Sequence, residues 1–303
     1  MKVIGYELFN VKPRSVFLKI ETDEGITGWG EPGLEYKPAT SIAAVDEMMD
    51  HVMGRDPMQI ERHWQRMMKG GFYRGGPILN SAVAGIDQAL WDITGKKLGV
   101  PVYDLLGGKV RDEVEFASYL FFRYPNEKTG KGEIKNAKQL VDAATKLRSE
   151  NGFRTHKLKG GVFHPDFELE CYLALGEAFP KDRFRYDPNA TLSITQSVEF
   201  ANAIKHMRID YLEDLTWGID GMKKLRDLTS MQTGTNTVVV NFEQLAQNIH
   251  REAIDVILLD TTFWGGIRAC IKAAGVCETF QLGVAVHTSA ELGIQLATML
   301  HLG

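Results

Sequence analysis

Cysteine is scarce in this chain: Cys171, Cys270 and Cys277 are the three in 303 residues. None belongs to a Cys-x-x-Cys pair, so neither a zinc site nor a disulfide framework is indicated. Cys270 and Cys277 stand seven apart in a helical segment and are expected to share one buried face as core thiols. A basic excess is also missing. Lys and Arg number 35 against 39 Asp and Glu, a formal net charge of −4, which gives no support for a nucleic-acid partner. No stretch approaches the roughly 18–20 uninterrupted apolar residues of a membrane helix. The opening Met1-Lys2-Val3-Ile4-Gly5-Tyr6-Glu7 meets charge too soon for a signal peptide. These absences predict a cytoplasmic protein with neither a nucleic-acid nor a membrane partner.

What is present is an ordinary apolar fraction of 44% and two regions of different rhythm. Residues 1–112 open with alternating runs, Val3–Phe9 and Val16–Thr22, and Asp23-Glu24-Gly25 reads as a hairpin turn before Ile26–Trp29. Helical patterns follow at Ser41–Val52, Met58–Met68 and Ile78–Leu98. In the last, Val83, Ile86, Leu90 and Ile93 keep the 3–4 spacing of a buried face. This region is predicted to be an α+β domain.

Over residues 113–303 short apolar runs alternate with helices. Strands are predicted at Val114–Tyr119, His156–Lys159, Phe184–Asp187, Tyr211–Glu213, Thr237–Val240, Val256–Leu259 and Val284–Val286. Such alternation implies parallel strands. A closed TIM-type barrel and an open doubly wound sheet are rivals, but the Gly-rich turn that normally opens the second is not found. Tyr124–Lys135, rich in Lys, Gly, Asn and Glu, reads as an exposed loop.

In a β/α barrel the chemistry sits where strands end. Six consecutive predicted strands end in polar or ionisable groups: Lys157 and Lys159, Asp187, Glu213, Asn241, Asp260 and His287. Lys157 and Lys159 share one strand face. Two ammonium groups in one pocket repel, so each is expected to lower the other's pKa, and a lysine near neutrality is a usable base. The plainer reading is two surface lysines around a buried Leu158. Asp187, Glu213 and Asn241 come one βα unit apart, at separations of 26 and 28 residues. Hard oxygen donors suit Mg²⁺ rather than zinc, and such an ion could stabilise an enediolate. The plainer reading for Asp187 and Asn241 is helix N-capping. Asp260 and His287 end neighbouring strands, close enough for the carboxylate to fix the histidine tautomer. A satisfied core or loop histidine is the alternative.

These residues resemble the enolase superfamily, and within it the acid-sugar dehydratases of the glucarate dehydratase type. The resemblance is carried by His156-Lys157-Leu158-Lys159-Gly160-Gly161, Tyr186-Asp187-Pro188-Asn189, Tyr211-Leu212-Glu213-Asp214, Thr235-Asn236 with Val240-Asn241, Asp260-Thr261-Thr262-Phe263-Trp264 and Val286-His287-Thr288-Ser289. Upstream, Gly71–Pro77 and Gly85–Asp92 look more like galactonate dehydratases. The resemblance implies a TIM-type (β/α)7-8 barrel with an N-terminal capping domain. It makes Lys159 and His287 the acid/base groups, tuned by Lys157 and Asp260, and Asp187, Glu213 and Asn241 the Mg²⁺ ligands. Asn189, Tyr119 and Phe121 match substrate-contacting positions. Tyr36, with Glu35, and Arg74 are candidates to read the far end of the sugar.

The implied reaction is abstraction of the proton α to a carboxylate, then loss of the β-hydroxyl as water. The product would be a 2-keto-3-deoxy acid from an aldarate such as glucarate or galactarate. A racemase or epimerase of the same superfamily is the alternative, as is a homologue that binds acid sugar without turnover. The small-molecule substrate and a homo-oligomer are the implied partners. Family chains continue past residue 303, so the last βα unit and its substrate-binding Arg are expected to be lacking here.

Overall fold

The computed structural model describes residues 1–288 and 292–303. Ser289 of the last quoted motif lies outside the described residues. The elements in chain order begin with β1 (Val3–Val11), β2 (Ser15–Thr22), β3 (Thr27–Gly30), α1 (Pro38–Met49), α2 (Ile60–Lys69), α3 (Pro77–Leu98) and α4 (Val102–Leu105). Five strand–helix pairs follow: β4 (Ser118–Phe121) with α5 (Ala137–Asn151), β5 (Thr155–Lys159) with α6 (Pro165–Ala178), β6 (Arg183–Asp187) with α7 (Ile194–Ala203), β7 (Ile209–Glu213) with α8 (Gly218–Thr229), and β8 (Thr233–Thr235) with α9 (Phe242–Arg251). The chain closes with β9 (Val256–Leu259), α10 (Thr261–Trp264), α11 (Ile267–Thr279), β10 (Gly283–Val286) and α12 (Gly293–Leu302).

The molecule divides into two compact units, Met1–Val114 with Leu258–Gly303, and Glu115–Ile257. The boundaries fall at Val114 and again inside β9, where a single division near residue 112 is expected from composition. In the first unit β1, β2 and β3 form an antiparallel sheet. Leu18 and Ile20 of β2 alternate inward and meet Val45 and Met49 of α1 and Ile86, Leu90 and Ile93 of α3 in one buried cluster. Gly28 and Gly30 permit that approach. A Cβ on Gly30 would lie 1.9 Å from the Gly85 carbonyl oxygen of α3. Cys270 and Cys277 are buried free thiols of α11.

The parallel strands run β4 to β10 in spatial as well as chain order, seven among the described residues. Each is followed by a helix, the repeat of a β/α barrel. Registers such as Phe121↔Lys159 and Lys159↔Asp187 bring successive strand ends side by side. The first barrel strand lies at Ser118–Phe121, shifted from Val114–Tyr119, because pairing begins with Ser118 opposite His156.

The fifth barrel strand differs more. It is Thr233-Gly234-Thr235, not Thr237–Val240. Gly234 pairs with Glu213 on one side and Val256 on the other. A Cβ there would lie 2.6 Å from the Tyr211 ring, which supplies the cover that this short strand's own side chains do not. Val238–Val240 follow in the loop, where Val239 is buried without being a strand residue.

Candidate active site

In the second unit, the ends of β5, β6 and β7 deliver a network of opposite charges. Lys157 Nζ donates to Glu213 Oε1 at 2.6 Å and lies 3.2 Å from Asp187 Oδ2. Lys159 Nζ donates to the same Asp187 oxygen at 2.6 Å. Both lysines therefore use one face of β5, as period-two geometry requires. Asp187 and Glu213 are fully buried. Asp187 Oδ1 also accepts the Asn189 N–H at 3.0 Å. The Tyr119 ring lies 5.1 Å from Lys157 Nζ, and Phe121 packs 4.3 Å from Tyr119.

The charge balance departs from the expectation of mutually depressed lysines. Burial alone would push Lys157 down, but Glu213 and Asp187 outweigh it and hold the ammonium above its usual range. Burial would conversely raise Asp187, yet Lys157 and Lys159 bring it down to about 2. At Lys157 the two carboxylate partners therefore outweigh any repulsion between the ammonium groups.

Asn241 is not at a strand end. It is the N-cap of α9, its Oδ1 accepting the Gln244 N–H at 2.8 Å, while Gln244 Oε1 accepts the Val240 N–H. The position after β8 belongs to Asn236, which is buried. The expectation that Asn241 ends the fifth strand fails because that strand lies earlier in the chain. The available signal was the polar run Thr233-Gly234-Thr235-Asn236, which repeats the strand-then-polar order of Glu213 and Asp187 without a large apolar residue.

Two carboxylates reached by one ammonium are close enough for a single cation to contact both, and their oxygens, with the Asn236 amide, are hard donors. The residues thus fit a Mg²⁺-type ion. Among the described residues no group of three His, Cys, Asp or Glu converges for a metal.

The first unit contains the remaining pair. His287 Nδ1 lies 2.9 Å from Asp260 Oδ2, and Asp260 Oδ1 accepts the Thr262 N–H at 2.8 Å. Asp260 is fully buried, and Phe263 stacks on the imidazole at 6.3 Å between centroids. The carboxylate is fixed by capping α10 and in turn fixes the ring. Tyr36 is 82% exposed with a left-handed backbone. Arg74 is exposed, and Glu35 pairs with Arg14 at 2.8 Å. Asn189 is exposed and lines a cavity of about 500 Å³ with Trp217, Thr237 and Gln244.

Two family models match the chain. Residues 10–107 match the mandelate racemase / muconate lactonizing enzyme N-terminal domain, and residues 139–303 match the enolase C-terminal domain-like family. The chain belongs to the enolase superfamily. Its relatives in that superfamily include a D-galactonate dehydratase from Pectobacterium atrosepticum, 36% identical over all of this chain and 78% of that protein. A probable glucarate dehydratase from Streptomyces coelicolor is 34% identical over 95% of this chain and 72% of its own length. Among solved structures, an enolase from Pseudomonas fluorescens with bound magnesium, potassium and tartrate superposes with a TM-score of 0.87 at 30% identity. That match covers 99% of this chain and 78% of the other.

Proposed function

We propose that this enolase-superfamily chain is a hydro-lyase that dehydrates an acid sugar to a 2-keto-3-deoxy acid. The observation that carries the reading is the Lys157 contact to both Asp187 and Glu213 with Lys159 beside them. It joins a proton-transfer group to a buried oxygen-donor set of the kind that binds an acid substrate's carboxylate through a cation. The names of the Pectobacterium and Streptomyces relatives support dehydration.

Asp187, Glu213 and Asn236 would hold Mg²⁺, with Asn236 in the place first assigned to Asn241. Bound there, the ion would neutralise charge developing on the substrate carboxylate as the α-proton leaves. Lys159 takes the α-proton at Nζ. Lys157 keeps its charge through Glu213 and Asp187 and stabilises negative charge at the same strand end. Asp260 holds His287 by Nδ1, assigning proton transfer to Nε2, either to the departing β-hydroxyl or at the α-carbon. Tyr119 and Phe121 form an aromatic wall beside Lys157, and Asn189 offers an amide to a sugar hydroxyl. Tyr36 and Arg74 are assigned to the sugar's far end.

The test is a panel of aldonates and aldarates, beginning with D-galactonate and D-glucarate, incubated with Mg²⁺ and assayed for 2-keto product with semicarbazide. Product that disappears in Lys159→Ala and His287→Asn supports the assignment. No product across the panel overturns it, and exchange of the α-proton from D₂O without water loss would replace it with an epimerase.

A further inference from the structure

Asp214 follows Glu213 directly, is fully buried, and holds a left-handed backbone at φ 43°, a conformation unusual for a residue with a side chain. Its contacts reach β8 and the loops after β6 and β8. Its N–H donates to the Gly234 carbonyl at 3.2 Å, and its carbonyl accepts the Ala190 N–H at 2.6 Å. Its carboxylate accepts the Thr235 hydroxyl at 2.5 Å on Oδ1 and the Asn236 N–H at 3.2 Å on Oδ2. The Thr235 hydroxyl has one proton. Donating it to Asp214 leaves its lone pairs for the Thr237 and Val238 N–H groups, at 3.1 and 2.8 Å. One carboxylate thus sets the direction of the chain on both sides of Asn236. β8 has only three residues, so little else in its own strand can do so.

We propose that Asp214 is a positioning residue that holds Asn236 at the end of β8 so that its amide oxygen serves, with Asp187 and Glu213, as a donor to a divalent cation. This rests on the reading of Asp187 and Glu213 as cation ligands. The carboxylate does not bind the ion; it orients a residue that does, the relation by which outer partners tune metal affinity.

The test is Mn²⁺ binding, read by the loss of the free-ion electron paramagnetic resonance signal and by calorimetry. The proteins are the unmodified chain, Asp187→Asn, Asp214→Asn, Asp214→Ala and Thr235→Val, each checked for folding by circular dichroism. Asp187→Asn defines the signal belonging to the site. The expected result is a Kd raised about 10-fold or more in Asp214→Ala. Asp214→Asn, which retains one acceptor, should fall between it and the unmodified chain. Where Asp214→Ala does not fold, Thr235→Val decides, because it removes the hydroxyl while keeping the side chain's shape. Unchanged affinity in the folded variants overturns the role of Asp214 and leaves the cation site standing. Failure of the unmodified chain to bind Mn²⁺ overturns the cation site first and the inference with it.

Discussion

Lys157 and Glu213, 56 residues apart in the chain, meet at 2.6 Å with Glu213 fully buried and Lys157 nearly so. Each charge is tolerable in the interior because the other is present. Lys157→Met would leave Glu213 and Asp187 facing each other with Lys159 as the remaining nearby cation. The expected cost is about 3 kcal/mol or more, measured by urea unfolding without added metal. Added Mg²⁺ should raise the midpoint of this variant more than that of the unmodified chain. An equal response in both would show that the carboxylates are not the ion's ligands.

Lys159 and His287 are the proposed proton-transfer groups. Lys159→Ala is expected to lower kcat by about 10²–10⁴-fold, the range of a lost general base. KM should change far less. Asp260→Asn should act through His287, lowering kcat while leaving Mn²⁺ affinity intact, since Asp260 contacts the histidine and the Thr262 N–H. A variant whose loss lay wholly in KM would reassign these residues to substrate binding.

Burial raises the Asp87 carboxyl to about 7, although the Ile267 N–H donates to its Oδ2 at 2.7 Å. A carboxyl whose folded pKa lies above its unfolded value near 4 favours the folded state when protonated. Its contribution is complete below about pH 4 and is lost as pH rises through about 7. Asp87→Asn should remove that loss. A differential scanning series from pH 5 to pH 8 should show a smaller fall in Tm for the variant than for the unmodified chain. Parallel curves would contradict the assignment.

His156 behaves in the opposite sense. It is fully buried, 2.7 Å from the Ser118 hydroxyl and 3.1 Å from Asp182. Burial lowers its pKa even though Asp182 pulls it upward. A histidine depressed on folding contributes stability above its unfolded value near 6.5 and loses it as pH falls. His156→Gln, compared with the unmodified chain, is expected to flatten the acid limb of the Tm curve between pH 7 and pH 5. A steeper acid limb in the variant would reverse the sign.

Gly160, immediately after Lys159, lies against the carboxylate of Glu168. A Cβ there would approach Glu168 Oε2 and the Tyr186 ring at 2.5 Å each. Glu168 also accepts the Gly161, Val162 and Phe163 N–H groups and the Tyr186 hydroxyl. Gly160→Ala is expected to destabilise by about 1–3 kcal/mol through overpacking, read from urea midpoints at constant slope. No change in midpoint would mean that the loop shifts freely.

Sequence alone determined the alternation of strands and helices and placed five of the seven barrel strands, with the first overlapping its true position only at Ser118 and Tyr119. It also placed Lys157, Lys159, Asp187, Glu213, Asp260 and His287 at or next to strand ends, because a strand's apolar rhythm stops where its polar end begins. The tertiary structure decided three things that no local pattern encodes. It put the fifth strand at Thr233–Thr235, because Tyr211 covers Gly234 and the strand needs no apolar side chains of its own. It thereby made Asn241 a helix cap and Asn236 the strand-end residue. It also reversed the sign of the shift on Lys157: a pKa sums over charges near in space, and Glu213 and Asp187 are near only once β5, β6 and β7 lie side by side.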